Sequence, residues 1–520
     1  MKPKRTLMLI ITIAVTLFFI WLFFANLSDH ALWNDEAFTS VMARNVLQFG
    51  YPRSFDGVNH VYPDWPSFNL PGTHVWIADT WFPIYLAALS FKLFGISTWS
   101  ARIPFVIAGF FTLLIGLFFC SKYLRSKGIG IILVILLGTN APFLLHSRQA
   151  RYYALVILFS FSIFYLYHRI VTENKGCAWL SIIFSLLALT HYVAFLILFC
   201  NIWIMTLFLD RKEIRFDRLA KASILPSVVF LAWMLFSVVC MSDPSNFSVN
   251  STLGGIKKNL EFQIRTINGY FVPIAFWLVI LTVFRALKKI NIFKPTAEEA
   301  KVFKRIGLFL ICNIIFFSIF GARTMRYYVQ YLPFLCILEA FLLYRIFKWK
   351  KILAVIIMFM IVFTDLPSKC NPAKIRSYFL DYLYELTHEY TGPLEAVCDH
   401  LALYAKPGDK IKILKGDLTV MAYHPELIVI NDARYFKKDY PEWIVIRKYW
   451  NPIFEDMWRY KDSSYIEEGY LDVLDRYDKV LLPAVDSIRE NVPDNLKEHF
   501  FKAPIVTPEN QMVVYRLKKT

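Results

Sequence analysis

Two adjacent acids, Asp35 and Glu36, follow the first long apolar run of this chain, in the stretch ALWNDEAFTS at residues 31–40. A carboxylate held beside a membrane can act as a general base and take a proton from a hydroxyl. The ends of later apolar runs carry further candidates. These are Asp79 in WIADTWFP, Arg148, Arg151 and Tyr152 in HSRQARYYAL, His191 and Tyr192 in LTHYVAF, and Arg323, Arg326 and Tyr327 in GARTMRYYVQYLP. Guanidinium suits phosphate because its planar fork donates two parallel hydrogen bonds and stays charged. Acids and guanidiniums gathered at one membrane face would equip a site for a lipid-linked phosphate beside a general base. The same acids also fit a local role. Asn34 is an expected helix N-cap, acids favour the positive helix start, and Trp33 and Phe38 have the spacing of a hydrophobic staple.

Those residues share a face only if the apolar runs cross a membrane. The 520 residues are 57% hydrophobic and 17% aromatic, with a mean hydropathy of +0.45. That composition exceeds the apolar content of soluble domains and describes a polytopic α-helical membrane protein. Runs long enough to span fall near residues 7–27, 102–120, 129–146, 153–168, 177–190, 193–209, 222–241, 270–286, 306–322, 327–344 and 351–365, about 11 spans. The opening apolar stretch lacks a small-residue cleavage site and reads as an uncleaved span. The net charge of +17 sits between the runs, in loops such as DRKEIRFDRLAK and YRIFKWKK, which is a positive-inside pattern rather than a nucleic-acid footprint. It places the N-terminus in the cytoplasm and residues 366–520 outside, together with a long first outer loop at about 28–101.

The outer loop holds two expected interfacial helices. DEAFTSVMARNVLQFG aligns Phe38, Met42, Val46 and Phe49 on one face and ends at Gly50, and WFPIYLAALSFKLFG is too short to span comfortably. A third outer segment, MSDPSNFSVNSTLGGIKKNLEFQIRTINGYF, adds another candidate. From about residue 371 the composition turns polar. PLEAVCDHLALYAKPGDKIKILKG, ELIVIND, EWIVIRKYW, KVLLPAV and MVVYRLKK read as helix and short strands of an α/β domain. The expected division is therefore 1–365, a transmembrane module, and 366–520, an extracytoplasmic α/β domain. That domain has no phosphate-binding glycine loop. Six of the eight cysteines lie in or beside apolar runs; Cys370 and Cys398 could form a disulfide outside, a point spacing does not decide.

LWNDEAF, then FPIYLAALSFKLFGISTWSARIPFVIAG, SRQARYYAL, LTHY and RYYVQYLPFL, in order over about residues 1–345, resemble the bacterial branch of the GT-C glycosyltransferases. This is the dolichyl-phosphate-mannose-protein mannosyltransferase-like family, which includes the lipid A aminoarabinose transferases. The resemblance implies a GT-C fold and sugar transfer from a polyprenyl-phosphate donor to lipid A, a cell-envelope glycan or a protein. Transfer would occur at the outer face of a bacterial inner membrane, usually with inversion. It maps the family's acidic residue onto Asp35 as base, with Glu36 beside it. Asp79, Arg148, Arg151, Tyr152, His191, Tyr192, Arg326 and Tyr327 become substrate contacts. No metal site is implied, although the acids could hold a divalent cation. Two departures concern the sugar and acceptor: DTWFP stands where some members have Lys-Pro-Pro, and RQARYY where some have an acid. The rival expectation is a lipid-linked sugar flippase or transporter, whose signature would be midplane charges and related halves; neither stands out here.

Overall fold

A computed structural model describes residues 3–63, 66–214, 216–237, 252–320, 323–369, 375–413, 415–431, 440–445, 447, 473–487, 491–493, 496–497, 499–508 and 510–518. The chain opens with α1 (Pro3–Phe24) and reaches α2 (Asn34–Phe49) through a short turn. An irregular stretch at 50–81 then leads to α3 (Phe82–Phe94). Next come α4 (Thr98–Tyr123), α5 (Lys127–Gly138), α6 (Ala141–Ser147), α7 (Tyr153–Glu173), α8 (Cys177–Ala188), α9 (Tyr192–Phe208) and α10 (Phe216–Ser237). The remaining apolar part comprises α11 (Leu253–Thr266), α12 (Ile274–Ala286), α13 (Ala297–Phe320), α14 (Leu332–Trp349) and α15 (Lys351–Phe363).

Among the described residues five helices are long and apolar enough to cross a membrane, or seven if two bent pairs each count as one span. The expected run at 129–146 is one of those pairs: α5 and α6 meet at 71°. Asn140 stops the first helix and caps the second by accepting from the Phe143 amide, with Pro142 in its first turn. The run at 270–286 likewise bends by 76° from the preceding helix. Outward-facing Phe118, Ile131, Val228, Ile311 and Ile352 are exposed, as befits lipid rather than water as the surrounding solvent.

Gly50 ends α2 as the sequence indicates, at φ 83°, with its amide bonded to the Val46 carbonyl. Phe38, Met42 and Val46 are buried on one face. The capping expectation is corrected. Asn34 is already helical, Trp33 occupies the cap position without a side-chain bond, and the Asn34 amide reaches the Tyr62 hydroxyl at 3.5 Å. The sequence rule fails because the turn before α2 is held from outside, by the C-terminal region.

That region begins with α16 (Leu366–Lys369), α17 (Tyr378–Thr387) and α18 (Pro393–Tyr404). β1 (Lys410–Ile413), α19 (Asp417–Tyr423), β2 (Ile428–Ile430), β3 (Trp443–Val445), β4 (Tyr477–Val485) and β5 (Gln511–Leu517) follow. The five strands order as β2-β1-β3-β5-β4, with β1 parallel to β2 and β3, and β5 antiparallel to β3 and β4. Each strand falls in a short apolar segment that the sequence marks. Cys398 is a free, buried thiol, and Cys370 lies outside the described residues.

The sheet region docks on the end of the helices that carries α2. Thr419 donates to the Leu32 carbonyl at 2.9 Å, the Leu32 amide donates to the Tyr423 hydroxyl at 3.0 Å, and Arg44 donates to the Met421 carbonyl at 2.9 Å. Asn59, in the 50–81 stretch, pairs with the open edge of the sheet. Its side chain donates to the Leu427 carbonyl at 2.9 Å and accepts from the Val429 amide at 2.8 Å. Edge groups left unpaired cost stability, and each buried orphan costs about 1–3 kcal/mol. Asn59→Ala is therefore expected to lower the unfolding free energy by about 2 kcal/mol. Thermal unfolding of the purified protein checks this, and an unchanged melt would count against the clamp.

At the opposite end of the helices a second polar network is sealed. Arg305 on α13 grips both Asp210 oxygens at 2.6–3.1 Å, and Tyr167 on α7 donates to the same acid at 2.8 Å. Both ends of the bundle are thus tied by buried charges, but only one carries the candidate chemistry.

Candidate functional site

Successive residues on a helix point about 100° apart, so Asp35 and Glu36 cannot share surroundings. Glu36 turns inward and is 1% exposed. Arg102 on α4 binds it through two bonds, Nε to Oε1 at 2.8 Å and Nη2 to Oε2 at 2.7 Å. Oε1 also accepts the Ala150 amide at 2.8 Å, and Arg102 spans on to the Leu27 carbonyl at 2.8 Å. Glu36 therefore stitches α2, α4 and the α6–α7 turn together. Of the two acids expected at the site, Glu36 thus has its carboxylate engaged in holding these elements together.

Asp35 faces the other way, toward the N-terminal ends of α7 and α14. Its Oδ2 accepts Arg326 Nη1 at 2.7 Å and the Tyr153 hydroxyl at 3.2 Å. Arg326 Nη1 also reaches that hydroxyl at 3.3 Å, closing a triangle of acid, guanidinium and phenol. Asp35 and Arg326 keep 23% of their side-chain surface exposed. A buried structural pair would not leave such access.

A second acid–guanidinium pair lies alongside. Arg151 Nη2 meets Asp79 Oδ1 at 3.5 Å, and the Trp76 indole donates to Asp79 Oδ2 at 3.3 Å. Arg151 stacks 5.1 Å from both the Phe38 and Tyr152 ring centres, which fixes its direction. Burial opposes its charge, but the Asp79 and Asp35 carboxylates more than compensate and hold the guanidinium above its usual value.

The remaining wall is aromatic. Tyr152, Tyr153, His191, Arg326, Tyr327 and Gln330 line one cavity. His191 caps α9 by accepting the Ala194 amide at its Nδ1, with its ring 4.7 Å from that of Tyr152 and 6.1 Å from that of Tyr327. Burial, reinforced by the charge of Arg151, pushes His191 down to about 4, so the ring is neutral at physiological pH. Tyr192 begins α9 and lies against the His191 ring at 6.2 Å.

Arg148 stands apart. Its guanidinium caps the end of α1, donating to the Leu22, Phe23 and Asn26 carbonyls at 3.1–3.3 Å. The four-residue turn that separates it from the helical α7 sends Arg148 and Arg151 in different directions, so the two do not converge on one substrate group. Arg148 and Glu36 instead line a larger cleft with Asp29, His30, Glu385 and His499, to which Asp35 does not contribute. Arg323 also points elsewhere, to Asn259 at 3.3 Å.

Sequence reasoning missed Tyr153 and Tyr62. Tyr153 was visible as the second tyrosine of RQARYY, one residue past the candidate Tyr152. Tyr62 gave no signal. It adopts φ 51°, a conformation side chains other than glycine rarely take, and packs against Phe38 and Trp76. Burial, then the Asp35 and Asp417 carboxylates, raise its phenol far above the usual range, so it stays protonated beside the acid. Among the described residues no group of three His, Cys, Asp or Glu side chains is arranged to hold a metal ion.

No protein-family model matches the chain, and no curated protein matches it in sequence. Solved structures do match. ArnT from Cupriavidus metallidurans in the apo state superposes with a TM-score of 0.58 at 13% identity, covering 98% of each chain. ArnT from the same organism bound to undecaprenyl phosphate gives 0.58 at 14% identity, covering 99% of this chain and 98% of that one. The chain thus has an ArnT-like fold from end to end. With its apolar helices it is an integral membrane protein.

Proposed function

We propose that this chain is a GT-C glycosyltransferase that moves a sugar from a polyprenyl-phosphate donor to an acceptor hydroxyl. The reaction takes place on the side of the membrane where the sheet domain sits. The observation that carries the reading is the open Asp35–Arg326–Tyr153 triangle beside the Arg151–Asp79 pair. A solvent-accessible carboxylate next to two oriented guanidiniums is what the chemistry requires. Further support comes from the shared fold with ArnT, a lipid A aminoarabinose transferase, one form of which holds undecaprenyl phosphate.

The acceptor oxygen attacks the anomeric carbon from the face opposite the phosphate, and its proton passes to the Asp35 carboxylate. The bond between the anomeric carbon and the phosphate oxygen breaks, and polyprenyl phosphate departs with the electron pair. Attack from the opposite face inverts the anomeric centre. The departing phosphate is a weak base and needs charge stabilisation more than a proton, which Arg326 and Arg151 supply. One base then suffices, without the carboxylate nucleophile of retaining hydrolases. Tyr152, His191 and Tyr327 form an aromatic wall that suits a sugar face. No step is assigned to a divalent cation. The acceptor is lipid A, another envelope glycan or a protein, and the site is placed at the outer face of a bacterial inner membrane, with the N-terminus in the cytoplasm.

Purified protein incubated with labelled polyprenyl-phosphate pentoses and hexoses and an envelope lipid acceptor tests the reading. Transfer of label to acceptor with release of polyprenyl phosphate is expected. Movement of intact donor across proteoliposomes without cleavage would replace this reading with that of a flippase.

A further inference from the structure

Each carboxylate of the site is held by two donors of different kinds. Asp35 Oδ2 is bonded to a guanidinium, Arg326 at 2.7 Å, and to a neutral phenol, Tyr153 at 3.2 Å. Asp79 meets the Arg151 guanidinium at 3.5 Å and the neutral Trp76 indole at 3.3 Å. In this arrangement the charges cancel within the site. Oδ2, one of the two oxygens that could receive the acceptor's proton, is engaged by Arg326, and the guanidinium that would receive the phosphate is engaged by Asp35.

Resting on the transferase reading above, we propose that the donor's phosphate unlocks the base. The phosphate competes with Asp35 for Arg326, draws the guanidinium away and leaves the carboxylate to Tyr153. The fallback donor is what makes the exchange feasible. A carboxylate stripped of its only partner in a half-buried site would be strongly disfavoured, whereas one that keeps a phenol bond stays oriented and gains a lone pair for the acceptor. The short distance from Arg326 Nη1 to the Tyr153 hydroxyl, 3.3 Å, means that the phenol already touches both partners and need not travel. Arg151 is the more readily recruited cation. Its contact with Asp79 lies at the outer limit of a hydrogen bond, and its buried Nε has no bonding partner among the described residues.

The consequence is an enforced order. Until a phosphate arrives, an acceptor hydroxyl meets a carboxylate still paired with Arg326, so the productive order is donor before acceptor. Tyr153 is a positioning residue in this scheme: it touches the base, not the reacting atoms.

Undecaprenyl phosphate, the donor without its sugar, is the probe. Its affinity is measured for the wild type, Asp35→Asn and Tyr153→Phe in lipid nanodiscs, with thermal unfolding as the folding control. Asp35→Asn removes the anionic competitor and is expected to bind about 2- to 5-fold more tightly, the size of a partly exposed ion pair. Tyr153→Phe removes the fallback donor and is expected to bind undecaprenyl phosphate about 2- to 10-fold more weakly, with a matching rise in donor KM and a lower kcat. Initial-rate kinetics of the wild type, which need no variant, should show ordered addition with donor first. Equal or weaker binding by Asp35→Asn, or random addition in the wild type, would overturn the unlocking. If the wild type neither binds undecaprenyl phosphate nor transfers sugar, the transferase reading itself falls and takes this inference with it.

Discussion

Asp35→Asn is expected to lower sugar transfer about 10²- to 10⁴-fold, the usual contribution of a positioned general base. The substitution keeps shape and volume, and the amide oxygen can still accept from Tyr153 and Arg326. What it loses is the ability to take a proton from the acceptor hydroxyl. Because the side chain is 23% exposed and lies outside the buried clamp made by Glu36, little stability should be lost. The comparison that matters is therefore rate per folded molecule, read by labelled transfer alongside a thermal melt. A variant that melts like the wild type and transfers within about threefold of it would remove Asp35 from the mechanism. A large loss of transfer with a normal melt would separate chemistry from folding.

That contrast marks the limit of what could be read along the chain. The Asp-Glu pair, the arginines beside apolar ends and the helix stop at Gly50 were visible because each is local. The five strands were visible too, as short apolar segments between turns. The division of labour within the pair was not, because it depends on Arg102 and Arg326, 66 and 291 residues distant. Arg148 and Arg151 look equivalent in HSRQARYYAL, yet one caps α1 and the other meets Asp79, a difference set by a single non-helical turn. Apolar length also misled. The run at 129–146 reads as one span until TNAP within it is recognised as a stop and a fresh start, Asn140 capping and Pro142 opening the next helix. Tyr62 was beyond reach of any periodicity, since its place is imposed by a loop that the sheet edge clamps through Asn59.

Removing one partner of the Glu36–Arg102 pair is expected to cost about 3–5 kcal/mol, the usual result of stranding a buried charge. Arg102→Met leaves the Glu36 carboxylate 1% exposed with only the Ala150 amide, and it strands the Leu27 carbonyl as well. Glu36→Gln keeps the volume but replaces a charged bidentate contact with a neutral one, so its loss should be smaller. The double change Glu36→Leu with Arg102→Met should recover part of the loss, because two apolar side chains leave no buried charge unpaired. Yield after detergent extraction and thermal unfolding read these effects. The outcome decides between two roles for the second acid. If Glu36 only ties α2 to α4 and to the turn that bears Arg151, activity per folded molecule should survive in Glu36→Gln and fall only as far as Asp35 and Arg151 drift apart. If Glu36→Gln melts normally but transfers as poorly as Asp35→Asn, Glu36 belongs to the chemistry after all, and the bidentate clamp is the resting form of a second working acid.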